Sequence, residues 1–215
     1  MAQTTGDVGL DPAGSYVNIS CFDLLLIELV PLAERMAREY EASLDRPSFA
    51  NRSTKNTNAA STTGGAGTVI AGDGQPETEL FKETMYYRLE SLGYRVGLGL
   101  SERFSRDRPR ITDQLDVIKF LCKDLWMVVF KKQIDNLKTN HRGVFVLTDS
   151  KFRPFSRMSM VSAAEAVHRA QPHLIFPCGI IRGALASLGV TATVQAETQD
   201  LPAATFQIKT AQAKP

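Results

Sequence analysis

Three glycines near the middle of the chain could form a phosphate-binding loop. The stretch GYRVGLGLSERF contains Gly93 and the Gly-x-Gly pair Gly97 and Gly99. Such a pair cradles phosphates when it follows a strand and is completed by a third glycine. Here the preceding segment has helical periodicity, and Glu102 occupies the third position. The pattern therefore favours a joint between two helices whose backbones approach closely.

The histidines and cysteines could supply metal ligands or a nucleophile. His141, His168 and His173 show no ligand spacing, and no Cys-x-x-Cys pair is present, so neither a metal site nor a cofactor is predicted. Cys178 lies near a predicted helix start, where a thiol can be acidified. Its apolar surroundings favour a small buried residue instead. The three cysteines are far apart in the sequence, which is typical of free thiols in a reducing compartment.

A short basic run could touch phosphates or lipid headgroups. Acidic residues dilute this run, which favours a solvated loop. Its basic members are Arg103, Arg106, Arg108 and Arg110. The whole chain has 25 Lys and Arg against 23 Asp and Glu, a net charge of +2. A balance this close to neutral predicts no nucleic-acid partner.

The elements that would position these residues begin with a long apolar helix. Residues 1–15 are predicted to be flexible, and residues 22–44 have helical periodicity with a kink or short break at Pro31. Residues 45–76 are rich in Ser, Thr, Asn, Gly and Ala, with almost nothing to bury. We expect them to be a disordered insertion between two helices, or alternatively a linker between domains.

The next segments alternate between helical and strand-like patterns. A helix is predicted over residues 77–93, with Gly93 as its C-cap and a short second helix after it. A further apolar helix is predicted over residues 112–140, ending at Gly143. A hairpin with its turn at Asp149–Ser150 should follow.

The remaining chain predicts helices and a second hairpin. Gly179 and Gly183, four residues apart, indicate a helix that packs closely on another. The stretches VTATVQAE and ATFQIKT read as the last two strands. The element order predicts an α+β fold with helices on one face of a four-stranded antiparallel sheet. Residues 16–210 are expected to form one domain, interrupted by the insertion, with residues 211–215 as a tail.

The first two helices carry more apolar surface than one amphipathic stripe requires. Large exposed apolar faces on soluble proteins mark partner contacts. The alternative is that both helices only cover the core of the chain itself. The residues of the predicted face are Leu24, Leu25, Leu26, Leu29, Leu80, Met85, Leu89 and Leu92.

Several stretches resemble one known family. GYRVGLGLSERF, DVIKFLCKDLWMVVFKKQIDNLKTNHRGVFVLTD, FPCGIIRGALASLG and LPAATFQIK are similar to the small core subunits of the TRAPP vesicle-tethering complex, most of all to the subunit-six type, the Trs-thirty-three lineage. The resemblance is dense over residues 77–209 and weaker over residues 17–43. The insertion at residues 45–76 departs from the compact members.

The resemblance implies the Bet-type TRAPP subunit fold and a non-catalytic role without a cofactor. It implies a heterodimer with a Bet-type small subunit through the first two helices, and contacts with other TRAPP core subunits. The complex activates Rab GTPases in ER-to-Golgi and Golgi traffic, which implies a cytoplasmic protein peripheral to Golgi and ER-derived membranes. Bet-type paralogues carry an acylated cysteine before their third helix, whereas residues 107–112 here contain none. An alternative is a stand-alone module of related fold that binds a hydrophobic ligand.

Overall fold

Two long helices lie side by side at the start of the described chain. The computed structural model describes residues 17–44 and 78–211, except residues 110, 112 and 141. Helix α1 spans Ile19–Leu44 and helix α2 spans Glu79–Ser105. The Arg38 guanidinium lies 5.7 Å from the centroid of the Phe81 ring, and the hydroxyl of Thr78 donates to Glu41. These two contacts pair the end of α1 with the start of α2. The helices therefore run antiparallel.

The predictions of a flexible start, of an insertion at 45–76 and of a tail concern residues that lie almost wholly outside the described ones. Helix α1 continues through Pro31, so the short break that was predicted at this residue does not occur. A proline inside a helix costs about 3 kcal/mol. The buried face of α1 offsets this cost, since Leu26, Val30 and Ala37 all pack into the core.

Helix α2 continues through Gly93, so the predicted C-cap and the short second helix were wrong. The reason is the packing of α2 on helix α6, which spans Ile175–Ser187. A β-carbon at Gly93 would lie 2.1 Å from the carbonyl oxygen of Phe176, and one at Gly183 would lie 2.1 Å from that of Tyr94. The glycines thus let the backbones of α2 and α6 touch. This confirms the close helix packing that was predicted from Gly179 and Gly183.

The central helix is built from three continuous segments. They are α3 (Gln114–Phe120), a π-helical turn (Leu121–Leu125) and α4 (Trp126–Phe130). The helix ends at Lys131, whose φ of 61° is left-handed. The prediction that it reaches residue 140 was therefore wrong.

The chain folds back after the central helix, and a backbone hydrogen bond holds the loop against that helix. The amide of Ile134 donates to the carbonyl of Cys122 over 3.1 Å. Ile134 and Leu137, whose spacing prolonged the helical pattern, pack against the core from a loop and a strand instead.

Four strands form one antiparallel sheet in the order β1-β2-β4-β3. The register places Leu137 opposite Leu147, and Leu147 opposite Phe206. This sheet and its helices confirm the α+β class. The strands are β1 (Asn136–Thr139), β2 (Val144–Asp149), β3 (Ala192–Glu197) and β4 (Ala204–Thr210).

The first hairpin differs from the predicted one. Strand β2 pairs with β1 before it, so the turn contains Gly143 and not Asp149–Ser150. The stretch expected to be the second strand forms a 3₁₀ helix, Arg153–Arg157. Its Phe155 is buried in the core. An aromatic residue that is buried from a 3₁₀ helix gives the same sequence signal as one that is buried from a strand, which explains the wrong prediction. Helix α5 (Ala163–Ala170) and a 3₁₀ turn (Gln171–Leu174) then lead into α6.

The core is filled where the central helix meets the sheet. Five aromatic rings pack there with centroids 4.5–6.1 Å apart, each almost wholly buried. They are Trp126, Phe130, Phe152, Phe155 and Phe206.

A buried carboxylate ties this cluster to the loop after the central helix. Asp149 is fully buried and accepts hydrogen bonds from Trp126 Nε1 at 2.9 Å and from Lys132 Nζ at 2.5 Å. Lys132 also binds Asp135 at 2.9 Å. These four residues form a polar clasp that fixes the start of the sheet against the helix.

Candidate protein-interaction surface

An open groove runs between α1 and α2. Its floor contains Leu29, Ala33 and Leu89, which are buried. Exposed and half-buried side chains form its walls, four of them apolar or aromatic and three of them polar. The wall residues are Leu32 and Met36 from α1, and Tyr87, Arg88, Ser91, Leu92 and Arg95 from α2.

Helix α1 makes the groove because it carries two neighbouring apolar stripes. One stripe, with Val30 and Ala37, faces the core. The other continues from Leu25 through Leu32 to Met36 at intervals of seven and four residues, which places these side chains on one face. A helix that only covers its own core needs a single stripe. The second stripe is exposed in this chain.

The eight residues of the predicted apolar face fall into four pairs. Leu26 and Met85 are buried in the core of the chain, and Leu29 and Leu89 are buried beneath the groove. Leu92 is exposed in the groove wall, and Leu25 is exposed on the same stripe of α1. Leu24 and Leu80 are also exposed, but they lie outside the groove lining.

Sequence reasoning missed the second half of the α1 stripe. Leu32 and Met36 lie beyond Pro31, where a break was expected. Their spacing from Leu25 was the signal that could have found them. Arg95 was missed for a similar reason, because α2 was expected to end at Gly93.

Two arginines border the groove on α2. Arg88 and Arg95 lie four residues before and three residues after Leu92, so all three share one face. The Nε atom of Arg88 is buried and makes no hydrogen bond within the described residues. Neither arginine forms an ion pair with another described residue.

The other residues considered for chemistry do not converge on a reactive site. Burial raises the pKa of the thiols of Cys122 and Cys178 to about 12, so both are protonated at neutral pH. Gly97 and Gly99 lie inside α2 and not in a loop. Among the described side chains, no group of three or more His, Cys, Asp and Glu residues is placed to hold a metal ion.

The basic run before the central helix is partly neutralised. Arg108 makes two hydrogen bonds to Asp124, at 2.8 and 2.7 Å, which tie the run to the central helix. Arg110 lies outside the described residues. None of the helices in the described ranges is both long and apolar enough to cross a membrane.

The architecture defines a class of α+β proteins in which two long helices present an apolar groove beside a sheet-backed core. A solved structure of this fold is the trafficking protein particle complex subunit 3 from Naegleria fowleri, covalently bound to palmitic acid. The alignment has a TM-score of 0.57 and covers 92% of this chain and 99% of that chain. The identity is 12%, so the likeness concerns the fold alone.

Residues 22–211 match the family described as Transport protein particle (TRAPP) component, and the chain belongs to that family. It is 50% identical over 121 residues to trafficking protein particle complex subunit 6B of Homo sapiens, covering 56% of this chain and 75% of that protein. Subunit 6A of Homo sapiens is 45% identical over 120 residues, with 56% and 74% covered. An uncharacterised protein of Schizosaccharomyces pombe is 36% identical over 193 residues, 90% of this chain and 64% of that protein. These relatives confirm the resemblance to the subunit-six type.

Proposed function

We propose that this TRAPP subunit is a non-catalytic assembly subunit that pairs with a Bet-type paralogue through the groove between α1 and α2. The observation that carries the proposal is the exposed second stripe of α1, with Leu32 and Met36 facing Leu92 of α2 across an apolar floor. Continuous apolar surface of this kind on a soluble protein marks a partner site.

The wider role follows from membership in the complex. The paired subunits join other TRAPP core subunits, and the assembly activates Rab GTPases by nucleotide exchange in ER-to-Golgi and Golgi traffic. On this proposal the chain is a peripheral component on the cytoplasmic side of Golgi and ER-derived membranes. The names of the relatives, which are trafficking protein particle complex subunits, support a role in trafficking. No residue of this chain is assigned to the exchange reaction.

The alternative, a stand-alone module that binds a hydrophobic ligand, has little support. The interior beside the sheet is filled by aromatic rings that pack at contact distance. Native mass spectrometry of the purified chain checks this point, because a bound ligand would add to the polypeptide mass.

Light scattering on a size-exclusion column tests the pairing. The chain is run alone and after co-expression with the Bet-type small subunit of the same organism. We expect a stable one-to-one complex, and we expect Leu32→Asp with Leu92→Asp to abolish it, since a charge buried in an apolar interface is costly. Met127→Asp, an exposed apolar position on the central helix, is the matched control and should pair normally. If the chain stays monomeric after co-expression with the paralogue, the proposal is overturned.

A further inference from the structure

The two arginines of the groove are unusual for an apolar surface. Buried or partly buried cations are normally paired, because a guanidinium taken out of water needs an opposite charge or acceptors. Two other half-buried arginines in this chain each have an acidic partner. Arg153 binds Asp23 through two hydrogen bonds at 2.8 and 3.0 Å. Arg182 forms an ion pair with Glu90 over 2.8 Å, although its Nε, like that of Arg88, makes no hydrogen bond to a described residue.

Arg88, which is half-buried, departs from that rule within the described residues, and the exposed Arg95 forms no ion pair there either. The Nε of Arg88 is shielded from solvent without an acceptor, although guanidinium N–H groups are strong donors. Leu92 lies between the two arginines on the same face of α2, so a helix that covers Leu92 would also cover both cations. A partner helix with only apolar side chains would exclude water from both guanidinium groups without offering them an acceptor.

We infer that the occupant of the groove is a helix of the paralogous subunit that combines an apolar stripe with carboxylates placed to meet Arg88 and Arg95. This inference rests on the proposed pairing and adds the chemistry of the partner. Arginine suits the task because its planar guanidinium can bind a carboxylate through two parallel hydrogen bonds. The apolar stripe supplies contact area, and the carboxylates fix the register of the two helices.

The same arginines disfavour a second copy of this chain as the occupant. In a two-fold symmetric contact the same patch faces itself. Two copies would therefore bring both pairs of arginines into one interface, and like charges placed together suppress a wrong partner. The groove thus favours a heterodimer over a homodimer.

Charge reversal tests this inference. The dissociation constant for the Bet-type subunit of the same organism is measured by calorimetry at low and high salt, for the full chain and for Arg88→Glu, Arg95→Glu and Arg88→Lys. We expect each reversal to weaken binding by about tenfold or more, and Arg88→Lys by less. The salt dependence seen in the unmodified chain should shrink in the reversed variants.

The control is Lys123→Glu, which makes the same charge change at an exposed position of the central helix. It should alter binding by less than about twofold. Melting temperatures show that each variant is folded. If the unmodified chain pairs and the double variant Leu32→Asp with Leu92→Asp does not, while the arginine reversals behave like Lys123→Glu, the carboxylate inference is wrong and the pairing stands. If the unmodified chain does not bind the paralogue at all, the proposed function itself fails. A homodimer formed through this groove would also overturn the inference.

Discussion

The indole N–H of Trp126 donates a hydrogen bond of 2.9 Å to the carboxylate of Asp149, and both side chains are buried. One residue belongs to the central helix and the other to the end of β2, and Lys132 completes the contact from the intervening loop. A single carboxylate thus joins the helix, the loop and the sheet. It sets the direction in which the chain leaves the helix.

Removing this carboxylate should be costly. Asp149→Ala leaves a buried indole donor without an acceptor and a partly buried lysine with only one acidic partner. We expect a loss of about 3 kcal/mol in the free energy of unfolding. Urea denaturation measures it. Asp116→Ala is the matched control, because Asp116 forms an exposed pair with Lys119 and should cost less than about 0.5 kcal/mol. Equal losses in the two variants would mean that the clasp adds no stability.

Two glycines of α2 should respond to alanine in opposite ways. A β-carbon at Gly97 would lie 2.1 Å from the carbonyl oxygen of Ile180, so Gly97→Ala must push α2 away from α6. We expect a loss of about 3 kcal/mol. At Gly99 no atom lies within 4 Å of the added carbon, and Gly99→Ala should stabilise the helix by about 0.5–1 kcal/mol. Thermal unfolding of both variants measures the difference. A gain in stability for Gly97→Ala would contradict the packing.

The pH dependence of stability should carry a histidine component. Burial lowers the pKa of His173 to about 4, against a weaker opposing effect from its hydrogen bond to the backbone of Leu26. The folded state therefore disfavours the protonated imidazole, while the unfolded chain takes up a proton near pH 6.5. The contribution of this group to stability is fully present above pH 6.5 and falls by about 3 kcal/mol as the pH drops towards 4.

His173→Gln should flatten the decline between pH 6.5 and 4, which urea denaturation at several pH values measures. The change in slope is the readout, because the substitution also alters packing. His168→Gln is the control, since His168 is exposed on α5 and its replacement should leave the slope unchanged. A slope unaltered by His173→Gln would refute the assignment.

Folding and partner binding should separate at two leucines three residues apart on α2. Leu89 is 1% exposed and Leu92 is 39% exposed. Leu89→Asp buries a charge in the core and should unfold the chain or cost more than about 4 kcal/mol. Leu92→Asp should change the unfolding free energy by less than about 1 kcal/mol. Circular dichroism with urea titration distinguishes the two variants. If Leu92→Asp unfolds the chain as severely as Leu89→Asp, Leu92 belongs to the core and its assignment to the interface is wrong.

Part of the architecture could be predicted from the sequence because local pattern and tertiary packing agree there. The alternation in residues 192–197 and 204–210 predicts the last hairpin, and Gly179 and Gly183 predict close helix packing. The central region failed because Ile134 and Leu137 fit a helical spacing while serving a loop and a strand. The residue that ends the helix, Lys131, carries no sequence signal for a left-handed backbone, since glycine is the usual choice.

The candidate interface could be predicted only in outline. Four consecutive apolar residues, Leu24 to Ile27, surround much of the circumference of α1, so their sequence does not say which of them face inward. The direction is fixed by where α2 packs, which is a long-range property. Arginine pairing is also a tertiary property, and for that reason Arg88 resembles any exposed basic residue until its surroundings are known.

The glycine contact between α2 and α6 also has a mechanical consequence. Backbone meets backbone there without intervening side chains, so no rotamer change can absorb a displacement of one helix against the other. We therefore expect α2 and α6 to move as one stiff body. Helix α1 meets the start of α2 through side chains, Arg38 with Phe81 and Glu41 with Thr78, which can change rotamer. We therefore expect α1 to be the more compliant wall of the groove, and α2 the more rigid one, if the proposed partner binds there.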